Sequence, residues 1–98
     1  MGLDAEIRAR LEEIIDNILR DKAGIEKSIS VTLEAQGIEA SLETILSFIA
    51  GDTFGVTTGM YYLKHGRSLN EDEMLHYLQI LKRRAWELRQ AFISTRII

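Results

Sequence analysis

Glu73 and His76 stand three residues apart, the spacing at which a helix turns a carboxylate and an imidazole to one side. Di-metal helical bundles use this pair together with further glutamates. One chain supplies one such pair, so a site of that kind needs a symmetric dimer to double it. Glu73 also has a competing role. It lies three residues after Asn70, where a capping box would employ it at a helix start, away from a bundle centre. The expectation is that the pair binds no metal and that the chain carries no cofactor. His65 reads as a cation near a helix C-terminus or as a surface residue. Asp52 reads as a carboxylate beside a run of glycines. There it is a functional group in a helix-lined cleft, a solvated residue, a cap after a kink, or half of an ion pair with an arginine of the last helix.

The second group is Lys82, Arg83, Trp86 and Arg89. Lys82 and Arg83 fall one helical turn before Trp86 and Arg89 one turn after it, so cation–π contact is within reach. Three readings are open for this group. Cations around an aromatic bind nucleic acid. Tryptophan and arginine are enriched at protein interfaces. Alternatively Trp86 packs on the first helix of its own chain. No catalytic set accompanies these residues. There is no cysteine, no G-x-S-x-G, no phosphate loop and no cluster of zinc ligands.

Ninety-eight residues are enough for one domain with its own core. The absence of cysteine excludes disulfides and thiolate chemistry, and the absence of proline suits long helices. Net charge is −3, unevenly placed: residues 1–50 carry ten acidic and five basic side chains, residues 51–98 five acidic and seven basic. The first half should repel nucleic acid, and only the last third could attract it, so nucleic acid is not the expected partner. The first thirteen residues are charged and lack the apolar stretch of a signal peptide. No run reaches the roughly 18 apolar residues of a membrane span, so a cytoplasmic protein without membrane contact is the expectation.

The elements that must position these residues read as helices. Asp4 caps an amphipathic run, Ile7, Leu11, Ile14, Ile15, Ile18 and Leu19, that lasts to about Lys22. Residues 25–36 are expected to be helical, because Gly37 and Ile38 fit a Schellman ending that reaches back to Leu33. The alternation from Ser28 to Glu34 keeps a short hairpin at about 27–41 as the alternative, which would make the fold α+β. Ser41 caps a helix ending at Gly66, with a break at Gly51-Asp52 as its alternative. Leu42, Leu46, Ile49, Val56, Met60 and Leu63 form its bulky stripe, with Thr53 in the gap, and this stripe is assigned to the core. Beside it run Gly51, Gly55 and Gly59. Each glycine costs a helix roughly 0.5–1 kcal/mol, so the stripe is read as a groove for a second helix, either the first helix of the same chain or a symmetry mate. Asn70 opens the last helix, with Leu69 and Met74 as a hydrophobic staple and Met74, Leu78, Leu81, Ala85, Leu88 and Phe92 as its seam. The apolar tail from Ile93 to Ile98 is expected to be covered.

The fold class expected is all-α, an antiparallel bundle of three main helices with the first kinked at Gly24. The function expected is a small non-catalytic interaction or scaffold protein that self-associates, most simply as a two-fold dimer, with a further protein partner allowed. Its interface candidates are Gly51, Gly55, Gly59, Lys82, Arg83, Trp86 and Arg89. A nucleic-acid-associated accessory protein using the basic last helix is second, and a metal-binding helical bundle third.

Overall fold

A computed structural model describes residues 2–94, and the expected covering of the tail beyond Ser94 lies outside them. Four helices follow one another: α1 (Ala5–Arg20), α2 (Lys22–Ala35), α3 (Leu42–His65) and α4 (Glu71–Ser94). The described residues contain no strand, so the hairpin alternative is excluded and the all-α bundle stands.

Four helices replace the three expected because the first arm breaks at Asp21, three residues before the glycine assigned to the kink. Asp21 leaves helical geometry at φ −124, ψ 47. Its N–H still bonds Asn17 O, and its carbonyl already accepts from Ile25 N, so one helix closes and the next opens on the same residue. Gly24 sits inside α2. A Cβ there would come within 2.7 Å of the Asp21 carboxylate, so the glycine makes room for the side chain of the break.

The remaining ends follow their local chemistry. Gly37 takes φ 76, Ile38 N–H reaches Leu33 O and Gly37 N–H reaches Glu34 O, the two bonds of a Schellman ending. Ser41 and Thr44 form a reciprocal capping box, and Gly66 closes α3 in the left-handed conformation. At α4, Glu73 N–H donates to Asn70 Oδ1 while Asn70 N–H donates to Glu73 Oε1. α3 runs unbroken through Gly51-Asp52.

Cross-helix contacts fix the directions. Asp4 meets Lys64 and His65, so α1 runs antiparallel to α3. Glu43 meets Arg89 and Thr53 meets Tyr77, so α3 runs antiparallel to α4, and α1 lies parallel to α4. α2 packs against both long helices. The core gathers Leu3, Ile7, Leu11, Ile15 and Ile18 with Ile29 and Leu33 of α2, Ile45, Ile49 and Tyr61 of α3, and Tyr77, Ile80, Leu88 and Phe92 of α4.

The core line of α3 corrects the expected stripe. Ile45, Ile49, Thr53, Thr57 and Tyr61 are the buried residues, while Val56 faces outward and Leu63 is 89% exposed. Two threonines and a tyrosine take these places because most of their hydroxyls find partners on other helices. Thr53 Oγ1 lies 3.1 Å from Tyr77 OH, and Asp4 N–H donates to Tyr61 OH at 2.6 Å. The seam of α4 is turned in the same way: Glu73, Tyr77, Ile80, Arg84, Leu88 and Phe92 are buried, and Leu78 and Ala85 are exposed. Among the described residues no helix is long and apolar enough to cross a membrane.

Candidate interaction surface

The rotation of α4 decides what its outer side offers. With Tyr77, Ile80 and Arg84 turned inward, Leu75 and Leu78 come out at 53% and 49% exposed, and Trp86 at 69%. Trp86 therefore does not pack as a core residue against α1. Beside this face, α3 and α4 leave an apolar groove of about 200 Å³ lined by Leu46, Ala50, Thr53, Leu81, Ala85 and Leu88. Ala50 and Ala85 are the small side chains that leave the space, and the exposed ring of Phe54 reaches Tyr77 edge-on from α3.

The cations of α4 separate into two kinds. Arg84 is 8% exposed and holds three carboxylates at 2.7 Å each: Glu12 and Asp16 of α1 and Glu87 of its own helix. Burial would make the guanidinium give up its proton more readily, but these three carboxylates outweigh it and hold the proton more firmly than usual. Arg83 pairs with the other oxygen of Glu12, and Arg89 pairs with Glu43 at 2.9 Å. Lys82 makes no ion pair among the described residues. Of the expected cluster, Lys82 and Trp86 are free toward solvent, and Arg83 and Arg89 are exposed but tied to carboxylates of α1 and α3. Arg84 is the residue the sequence reading missed. Its signal is positional: it lies four residues after Ile80 and four before Leu88, on the line that α4 buries.

The Glu73/His76 pair is divided between other partners. Both oxygens of Glu73 accept from Arg67, at 2.7 and 3.0 Å, and His76 Nδ1 accepts from Leu3 N–H at 2.7 Å. Arg67, chiefly, holds the Glu73 carboxyl down from its ordinary 4.5 to about 2. Lys64 does the same for Asp4, again to about 2. Both groups are thus more acidic in the folded chain, so on acidification the unfolded chain takes up protons first. Their stabilisation is complete above the ordinary carboxylate values and is lost as the pH falls toward about 2. Urea unfolding across that range is expected to show the decline, and Glu73→Gln to remove part of it. A Glu73→Gln chain with the parent's pH slope would contradict this.

Asp52 is exposed at the edge of a shallow cleft with Ile14, Ile18, Asp21 and Ile25, and no arginine of α4 pairs with it. His65 lies 3.3 Å from the Asp4 carboxylate with its ring tilted over Tyr61.

Gly51, Gly55 and Gly59 lie opposite the buried line of α3, and a Cβ at any of them would meet nothing within 4 Å. α1 packs on another side of α3, so the first helix of the chain is not the occupant of this groove. Gly55→Ala is therefore expected to raise the stability of the single chain by up to about 1 kcal/mol through helix propensity. A fall in the urea midpoint would show the stripe to be covered.

Against known proteins, the chain matches no family model, no curated protein and no solved structure.

Proposed function

We propose that this protein is a small helical interaction module that self-associates, with its contact surface on the outer side of α4 and the adjoining α3/α4 groove. The observation that carries this reading is the exposure of Leu75, Leu78 and Trp86 on a helix whose opposite side is fully used by the core. Trp86, at the C-terminal end of this patch, is of the residue type on which interface energy concentrates. The open glycine stripe of α3 is a second surface at which another helix could come close, and Gly55→Leu reports whether it takes part.

The nucleic-acid reading is weaker because Arg83, Arg84 and Arg89 are each engaged by carboxylates, leaving Lys82 as the free cation beside Trp86. A cytoplasmic location, and the absence of catalysis and cofactor, belong to the same proposal and rest on the sequence features above.

The test is Leu78→Asp followed by light scattering on an eluting column. Leu78 is half exposed, so the variant should melt within about 0.5 kcal/mol of the parent. It should elute as a monomer where the parent elutes as a dimer. A variant that keeps the parent's mass would show that the contact does not lie on this surface.

A further inference from the structure

Along the outer side of α4 the chain reads Glu71, Leu75, Leu78, Lys82: acid, apolar, apolar, base. At 3.6 residues per turn these four fall on one stripe about 60° wide, away from the line formed by Tyr77, Ile80 and Arg84. All four are exposed, and neither Glu71 nor Lys82 makes an ion pair among the described residues. The nearby Arg83, Arg84 and Arg89 are each held by a carboxylate of their own chain. The unpaired acid and base are the two that flank the leucines.

The spacing is four, three, four, which is symmetric about the point between His76 and Tyr77. The charges are opposite on the two sides of that point. A pattern with symmetric spacing and reversed charge is complementary to itself turned end for end. Steps of four and three are also those by which two helices pair along a seam. A parallel pairing would set Glu71 against Glu71 and Lys82 against Lys82. An antiparallel pairing satisfies both charges and buries the four leucines of two copies between them.

We infer that α4 pairs antiparallel with α4 of a second copy of this chain, about a two-fold axis crossing the helix between His76 and Tyr77. Leu75 then meets Leu78 of the second copy, and Glu71 meets its Lys82, twice by symmetry. Trp86, four residues beyond Lys82, is carried toward the 66–70 turn that precedes the second copy's α4. This deepens the self-association reading and rests on it.

The experiment is sedimentation equilibrium on the full chain, on Glu71→Lys, on Lys82→Glu, and on the doubly reversed chain. Each single reversal replaces two attractions per dimer with two repulsions and is expected to weaken the dimer about ten-fold at low salt. The double reversal restores opposite charges at both places and should return the dissociation constant to within about three-fold of the parent. Raising the salt should shrink all these differences. Thermal melts check that each variant folds. Should Glu71→Lys disturb the first turn of α4, Glu71→Gln with Lys82→Gln measures the same pairing by neutralisation, each losing attraction without adding repulsion. A parent dimer that ignores the single reversals, or a double reversal weaker than either single, would overturn the antiparallel register while leaving self-association intact. A parent that stays monomeric would overturn both.

Discussion

Arg84→Ala is expected to lower the stability of the chain by about 2–4 kcal/mol. The guanidinium is the one cation on the buried line of α4, and it joins α1 to α4 through Glu12 and Asp16. Removing it leaves three carboxylates close together without their shared counter-charge and leaves a void where its aliphatic stem was packed. A fully buried pair broken in this way costs more, about 3–5 kcal/mol. The carboxylates here retain access to water, with side chains 27% to 52% exposed, which moderates the loss. Arg84→Met keeps most of the volume and should cost about half as much, since only the charge is lost. Urea unfolding of the two variants separates packing from charge. An Arg84→Ala chain within about 0.5 kcal/mol of the parent would mean that the cluster is a surface ornament.

Thr57→Val is expected to act in the opposite direction. Thr57 is fully buried, and its Oγ1 has no hydrogen-bond partner among the described residues. A buried hydroxyl without a partner carries a desolvation penalty of about 1–3 kcal/mol. Valine has nearly the same shape and the same branching at Cβ, so the helix and the packing are kept while the penalty is removed. A gain of about 1–2 kcal/mol should follow, seen as a rise of several degrees in the melting temperature. Thr53 serves as the internal contrast. It is equally buried, but its hydroxyl meets Ala50 O and Tyr77 OH, so Thr53→Val should destabilise. If both valines destabilise, the Thr57 hydroxyl has a partner after all.

The same two threonines explain what could be read beforehand and what could not. Helix ends were legible because they depend on residues close in sequence: Asp4, Ser41, Gly37 with Ile38, Asn70 with Glu73. The facing of the long helices was not, because it depends on partners far away in sequence. Thr53, read in the gap of the stripe, is held there by Tyr77, but Tyr61 enters the core through its bond to Asp4, and Arg84 through Glu12 and Asp16. Hydropathy alone assigned those places to Val56, Leu63, Leu78 and Ala85, which the structure turns toward solvent. The break at Asp21 was missed because glycine is the stronger local signal, while the residue that leaves helical geometry is the aspartate whose side chain Gly24 accommodates. Of the interface candidates, the spacing of the cations around Trp86 was legible, but the side of the helix that Trp86 takes was not. The engagement of Arg83 and Arg89 by Glu12 and Glu43 was not.

Leu75, Leu78 and Trp86 make the outer side of α4 the proposed contact surface between copies. Sedimentation equilibrium of the unmodified chain over a wide concentration range tests it most directly. The apparent mass is expected to rise with concentration from 11.2 kDa toward twice that value. An apparent mass that holds at 11.2 kDa throughout would contradict it.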